Sequence, residues 1–251
     1  GESELSTYAT RISYERDEKG RTRGFFSNGE LDWHCDQHAF HDNQRIVGLM
    51  SLWGTENSQT TFLCTADTYA NLNHEDRSMV DELVSVYEWD GGTMCQGLIP
   101  QQLAMVQLQM VPLAKMECPL HDRTASGVHG IRFPSQCFTH FKDVSPTESL
   151  KIKDHIWSLL NTDKNIYRHH WQDGEIMFMD QNITLHARPT NIEYGNKRTL
   201  CRISSYLDNL FPGEGPIDYV KADGEDLSLD EFAIRLDRQR RAEYEKALVA
   251  S

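Results

Sequence analysis

The stretch Trp171-Gln172-Asp173-Gly174-Glu175-Ile176-Met177-Phe178-Met179-Asp180-Gln181-Asn182-Ile183-Thr184-Leu185-His186-Ala187-Arg188-Pro189 sets the pattern for the whole chain. Turn chemistry at Asp173-Gly174 launches a strongly apolar strand, 175–179, that ends in a polar Asp-Gln-Asn stretch, and His186 follows just before a proline. Met177 and Met179 read as core filling. Similar runs of β-branched and aromatic residues recur at 10–14, 22–26, 32–36, 46–53, 60–65, 103–111, 128–133 and 199–206. Turns at 18–20, 27–29 and 194–196 separate several of them. Helical periodicity is confined to 74–90, 147–160 and 229–249, the last opened by Ser228 and Glu231 as a capping box. Many short strands with a few peripheral helices predict a mainly β fold, a closed or sandwiched antiparallel structure with helical buttresses. Strands and helices do not alternate regularly, which argues against a Rossmann or TIM-barrel arrangement.

Composition narrows the function classes. A chain of 251 residues, 39% apolar and 10% aromatic, can bury a substantial core as a single domain, 1–251. Its 38 acidic against 25 basic residues give a net charge of −13, which repels nucleic acid and anionic membranes and keeps the surface solvated. No membrane-length apolar run and no signal-peptide core is present. Cys35, Cys64, Cys95, Cys118, Cys137 and Cys201 lack CxxC spacing and read as reduced residues of a cytoplasmic protein. The expected partner is a small-molecule substrate, with no nucleic acid and no membrane.

The chemistry begins at Leu31-Asp32-Trp33-His34-Cys35-Asp36. On an extended strand, residues i and i+2 share a face, so His34 and Asp36 project together while Trp33 and Cys35 face away. An imidazole beside a carboxylate supplies two ligands of a 2-His-1-carboxylate facial triad. In a chain with 11 histidines, His-x-Asp arises by chance about once, so the tripeptide alone decides nothing. His186, on the distal segment, is the natural third ligand. Downstream, Arg198 and Arg202 are four residues apart and share a face of the 199–206 strand. Two guanidiniums there are costly to bury unless they meet anions, and a dicarboxylic co-substrate satisfies one of them bidentately.

At these residues the sequence resembles the taurine dioxygenase (TauD/TfdA-like) family of iron(II)/2-oxoglutarate oxygenases. The shared elements run in order from residue 31 to residue 206. They are Trp33-His34-Cys35-Asp36 for W-H-x-D, Thr60-Thr61-Phe62 leading to Ala66-Asp67-Thr68-Tyr69-Ala70-Asn71-Leu72, the W-x-x-G-E turn from Trp171, the run to His186, and the arginine pair. The resemblance implies a double-stranded β-helix (jelly-roll) fold, with Fe(II) held by His34, Asp36 and His186, which are then the catalytic residues. It implies that Thr60 and Arg198 hold the distal carboxylate of 2-oxoglutarate, with Thr61 as the adjacent alternative. Arg202 matches a second arginine near co-substrate and substrate.

Two departures stand out. Family members carry a longer segment before W-H-x-D, so the chain is expected to be N-terminally incomplete. The usual Gly-Gly before the co-substrate threonine is replaced by Asn57-Ser58-Gln59. The family's substrate lid is expected within 92–146, where His121, His129 and His140 lie. His38, His129 and Arg202 are the candidates for substrate contact; His41 also follows the metal strand, and His169-His170 are expected at a surface turn.

Such a site takes Fe(II), 2-oxoglutarate and O2, and releases succinate and CO2 as a C–H bond of the substrate is oxidised. Asp36 favours a hydroxylase over a halogenase, because halogenating relatives carry a small residue there. The expected substrate is a small metabolite, anionic or amino-acid-like, and a homo-oligomer is compatible with the resemblance. Two other readings fit part of the pattern. One is a 2-oxoglutarate-independent cupin-type metal dioxygenase, against which Thr60 and Arg198 stand. The other is a non-catalytic β-sandwich binding module.

Overall fold

The computed structural model describes residues 9–15, 18, 30–36, 46–88, 115–189 and 198–205. Two four-stranded antiparallel sheets form its centre. The first runs β1 (Ala9–Ser13), β13 (Thr199–Ser205), β3 (Ile46–Trp53), β11 (Ile176–Asp180). The second runs β10 (Ile166–His170), β4 (Gln59–Cys64), β12 (Thr184–Arg188), β2 (Leu31–His34). They pack face to face because each strand alternates: Val47, Leu49, Met179 and Leu200 of the first sheet meet Phe62 of the second, and Trp171 just beyond β10, in one buried cluster. This is the jelly-roll arrangement expected from the strand-rich pattern.

The second sheet is covered on both faces. In β4, Thr60 and Phe62 face the first sheet, whereas Leu63 joins Leu185 of β12 in a separate core with Leu120, Ile131, Phe133, Phe141, Ile156 and Leu160. That outer layer contains α1 (Ala66–Ala70), α2 (His74–Glu82) and α3 (Pro146–Leu160). It also contains a three-stranded sheet, β6 (Lys115–Pro119), β5 (Val84–Glu88), β9 (Phe138–Phe141), and the hairpin β7 (His121–Arg123), β8 (His129–Ile131). Helix α3 starts where Ser145 Oγ accepts from the Glu148 amide at 3.3 Å, with Pro146 in its first turn. Each fully buried aromatic here, such as Phe133, contributes about 1.5–3 kcal/mol of apolar transfer. No helix among the described residues is long and apolar enough to cross a membrane.

Local sequence explains two special positions. Gly48 pairs with Phe178 across β3–β11, and a Cβ there would lie 2.7 Å from the Phe178 ring, so a larger residue would require that exposed ring to shift. The turn that replaces Gly-Gly before Thr60 closes with Ser58 N donating to Thr55 O at 2.9 Å, and Asn57 takes φ 61°, a left-handed conformation that asparagine tolerates.

Several expected boundaries shift. The helix expected over 74–90 ends at Glu82, because Val84-Ser85-Val86-Tyr87 is recruited as a strand between β6 and β9. The expected strand 128–133 shortens to the three residues of β8. The distal segment forms two strands rather than one: after the turn at 181–183, β12 carries His186 within it. From Lys115 onward the region expected as a lid forms β6 to β9. Residues 92–114, the expected strands 22–26 and 103–111, the helix 229–249, and His38 and His41 lie outside the described residues.

Candidate metal and co-substrate site

Strand pairing builds the metal site. β12 runs antiparallel to β2 with His186 directly opposite His34, which places their ring centroids 4.0 Å apart. Asp36 follows at the turn just beyond β2, and its Oδ1 lies 3.7 Å from Nε2 of each histidine. The three donor atoms fall within 4.8 Å of one another, and all three residues are buried. Among the described residues no other cluster of three such side chains meets this spacing.

Each ligand is held by its surroundings. His34 Nδ1 donates to the Asp32 carbonyl at 2.7 Å, so its Nε2 lone pair points to the shared centre. Burial, with His186 adding repulsion, brings the His34 pKa down to about 3, so the ring is neutral, the form that ligates a metal. Asp36 is clamped through its backbone: the Gln181 side-chain oxygen accepts from the Asp36 amide, and the Gln181 amide donates to the Asp36 carbonyl at 3.4 Å. Arg202 Nη1 sits 3.3 Å from the other carboxylate oxygen, Oδ2. Cys35, between the two ligands, turns into the opposite core, and burial pushes its thiol up to about 12. Two neutralisable imidazoles and one carboxylate, buried and aimed at one point, fit a divalent iron as a facial triad.

Beside this trio lies a cavity open to solvent and lined by residues of both sheets, among them Thr60, Arg188 and Arg198. Arg198 is 3% exposed, and burial lowers its pKa to about 10. Its Nη2 donates to Thr60 Oγ1 at 3.3 Å, while its buried Nε has no partner among the described residues. Arg188 is equally buried and also shifted down by desolvation. The Tyr14 ring stands against both, 5.3 Å from the Arg188 guanidinium and 5.9 Å from that of Arg198. Two guanidiniums held out of water beside a hydroxyl form a receptor for a carboxylate.

The structure brings His34, Asp36, His186, Thr60 and Arg198 onto one cavity. Thr61 projects the other way, its hydroxyl donating to Ala187 O at 3.1 Å, so the threonine ambiguity resolves to Thr60. Arg202 faces Asp36 rather than Thr60. His129 is exposed in a stack with Tyr69 and His121, its Nδ1 2.7 Å from His121 Nε2. His169 is not at the surface: β10 buries it, with Glu175 3.1 Å away and Trp171 edge-on at 4.4 Å. Sequence reading missed Arg188, Gln181 and the indole of Trp171. Arg188 carried a usable signal, since it stands two residues after His186 on one strand and therefore shares its face.

Comparison with known proteins agrees with this fold. The structure of a taurine dioxygenase from Burkholderia xenovorans superposes with a TM-score of 0.58 at 19% identity, covering 80% of this chain and 63% of that one. The present chain therefore spans less than two thirds of that protein's length. AAD-2, solved in complex with Mn(II) and N-oxalylglycine, also gives a TM-score of 0.58, at 14% identity over 75% of this chain and 72% of its own. No curated protein matches the sequence. The Taurine catabolism dioxygenase TauD, TfdA family is matched across residues 4–204, four fifths of the chain, with the metal trio, Thr60 and Arg198 inside the match. The chain belongs to that family.

Proposed function

We propose that this protein is an iron(II)- and 2-oxoglutarate-dependent dioxygenase that hydroxylates a small anionic or amino-acid-like metabolite. One observation carries the reading: the buried trio of His34, Asp36 and His186 shares a cavity with Arg198, whose buried charge meets no carboxylate among the described residues. When bound, iron(II) would activate dioxygen, one oxygen atom passing to 2-oxoglutarate as it is oxidised to succinate and carbon dioxide and the other to the substrate's C–H bond. The protein's own part is placement. Arg198 and Thr60 take the distal carboxylate, Arg188 keeps the cavity positive, and the cavity wall limits which C–H bond approaches.

Relatives in fold are described as a taurine dioxygenase and a proposed 2,4-D dioxygenase, both names denoting compounds that carry an anionic group. Arg202, beside Asp36 at the metal centre, is a cation placed to meet such an anion. The test is a screen of sulfonic, aryloxy and amino acids with anaerobically iron-loaded protein, reading oxygen uptake and succinate. Succinate that depends on 2-oxoglutarate and rises with one substrate class is the expected result. Failure to bind iron stoichiometrically, or oxygen consumption indifferent to 2-oxoglutarate, overturns the reading.

A further inference from the structure

We infer that Trp171 is a positioning residue for the co-substrate, fixing the Thr60 hydroxyl as a hydrogen-bond donor to the distal carboxylate. This rests on the proposed 2-oxoglutarate site and adds a group outside it. Trp171 Nε1 donates to Thr60 Oγ1 at 2.9 Å, and Arg198 Nη2 donates to the same oxygen at 3.3 Å. A hydroxyl oxygen has two lone pairs and one proton, whereas indole and guanidinium groups only donate. Both lone pairs are therefore occupied by neighbours that cannot accept. The Thr60 proton has to seek a third group, and the cavity that Thr60 lines is where an acceptor arrives. Without the indole N–H, one lone pair is vacated and the hydroxyl regains its rotation.

The indole cannot easily turn away. Trp171 is 3% exposed, its backbone N–H donates to Ser58 O at 3.2 Å, and its ring meets His169 edge-on at an interplanar angle of 89°. Glu175, 3.1 Å from His169 Nε2, backs that imidazole. A ring whose only polar atom is spent on the Thr60 hydroxyl sets the polarity of the carboxylate receptor without touching the ligand.

The experiment compares wild type with Trp171→Phe, which keeps an aromatic filler and removes the N–H. Dissociation constants are measured by calorimetry on Mn(II)-loaded protein without oxygen, for 2-oxoglutarate and for 2-oxobutanoate, which lacks the distal carboxylate. The expected result is that 2-oxoglutarate binds about tenfold more weakly to the variant while 2-oxobutanoate is unchanged. In a Thr60→Val background the same change has no further effect on 2-oxoglutarate. Because the two acids are compared within one variant, lost folding or lost metal weakens both together and cannot imitate the expected pattern. Equal weakening of both acids, no weakening of either, or an undiminished effect in Thr60→Val overturns the assignment. A wild type that binds the two acids equally overturns the co-substrate site itself, and the Trp171 role with it.

Discussion

Replacing Arg198 with Met separates what this side chain costs from what it does. Burial brings its pKa down to about 10, which at 1.36 kcal/mol per pKa unit is a penalty of about 3 kcal/mol on the charged form in the ligand-free protein. The 3.3 Å hydrogen bond to Thr60 returns about 1 kcal/mol. Methionine fills much of the same volume without charge, so ligand-free Arg198→Met is expected to be more stable by about 2 kcal/mol, a rise in Tm of roughly 4–8 °C for a domain of this size. Binding should move the other way. A charge-assisted contact to a carboxylate is worth about 1.5–3 kcal/mol, so 2-oxoglutarate affinity falls by up to about 100-fold. At a concentration 100 times the wild-type Kd, the ligand stabilises wild type by about 2.7 kcal/mol, and the variant by about 0.4 kcal/mol. Thermal unfolding of Mn(II)-loaded protein with and without 2-oxoglutarate reads both effects. A ligand-free variant that melts 5 °C or more below wild type would show that the charge is compensated in the folded state. A ligand-induced shift as large as that of wild type would show that another group anchors the co-substrate. Either result refutes the reasoning.

Asp36→Ala should abolish 2-oxoglutarate-dependent hydroxylation and stoichiometric iron binding together; retained hydroxylation would remove Asp36 from the site. Gln181→Ala strips the side-chain clamp from the Asp36 backbone and should weaken Mn(II) binding about 10- to 100-fold, measured by titration, with the fold kept by circular dichroism. Phe133→Ala, at a fully buried ring packed on Phe138, Phe141 and Trp157, should cost about 3–5 kcal/mol in denaturant unfolding. His121 has its pKa lowered by burial, Asp81 opposing. Below the unfolded value of about 6.5 the unfolded chain thus binds the proton more readily, and stability falls as pH drops through that window. An NMR titration should place the His121 midpoint below 6.5, and His121→Gln should flatten the acid-side loss; a midpoint above 6.5 contradicts the assignment.

The parts of the site legible in the sequence are those that depend on short-range alternation. Two-residue spacing points to His34 and Asp36 acting together, and they do, although β2 ends at His34 and Asp36 reaches the centre from the turn beyond it. Arg198 and Arg202 are four apart, with Leu200 buried between them. Thr60 against Thr61 was undecidable without register. Pairing of Ala187 with Thr61 and His186 with Phe62 settles which threonine faces the cavity. Long-range recruitment was illegible for the same reason. Nothing local to Val84-Ser85-Val86-Tyr87 announces β6 and β9, whose hydrogen bonds end the helical periodicity at Glu82. His169 read as a surface residue because two adjacent histidines near a turn look solvated; as β10 pairs with β4, one of the pair faces inward and His170 faces out.

The metal centre is a consequence of register, with an irregularity at its edge. His186 pairs with His34, but Arg188, two residues on, pairs with Leu31, three residues back, so β2 carries one residue more than β12 over this span. Such a bulge twists a strand and turns its carbonyls out of the ladder. Here the turned-out groups find other partners: the Asp32 carbonyl accepts from His34 Nδ1, and the Trp33 carbonyl accepts from the Ser135 amide at 2.8 Å. Asp32 and Trp33 are neighbours, so their carbonyls point to opposite edges of β2, and a regular ladder would engage only one of them with β12. Arg188 keeps the cavity face through the alternation of β12, two residues from His186. The extra residue of β2 thus falls where that strand leaves the ladder for its ligands, while the alternation of β12 sets the His186 imidazole and the Arg188 guanidinium side by side on the cavity.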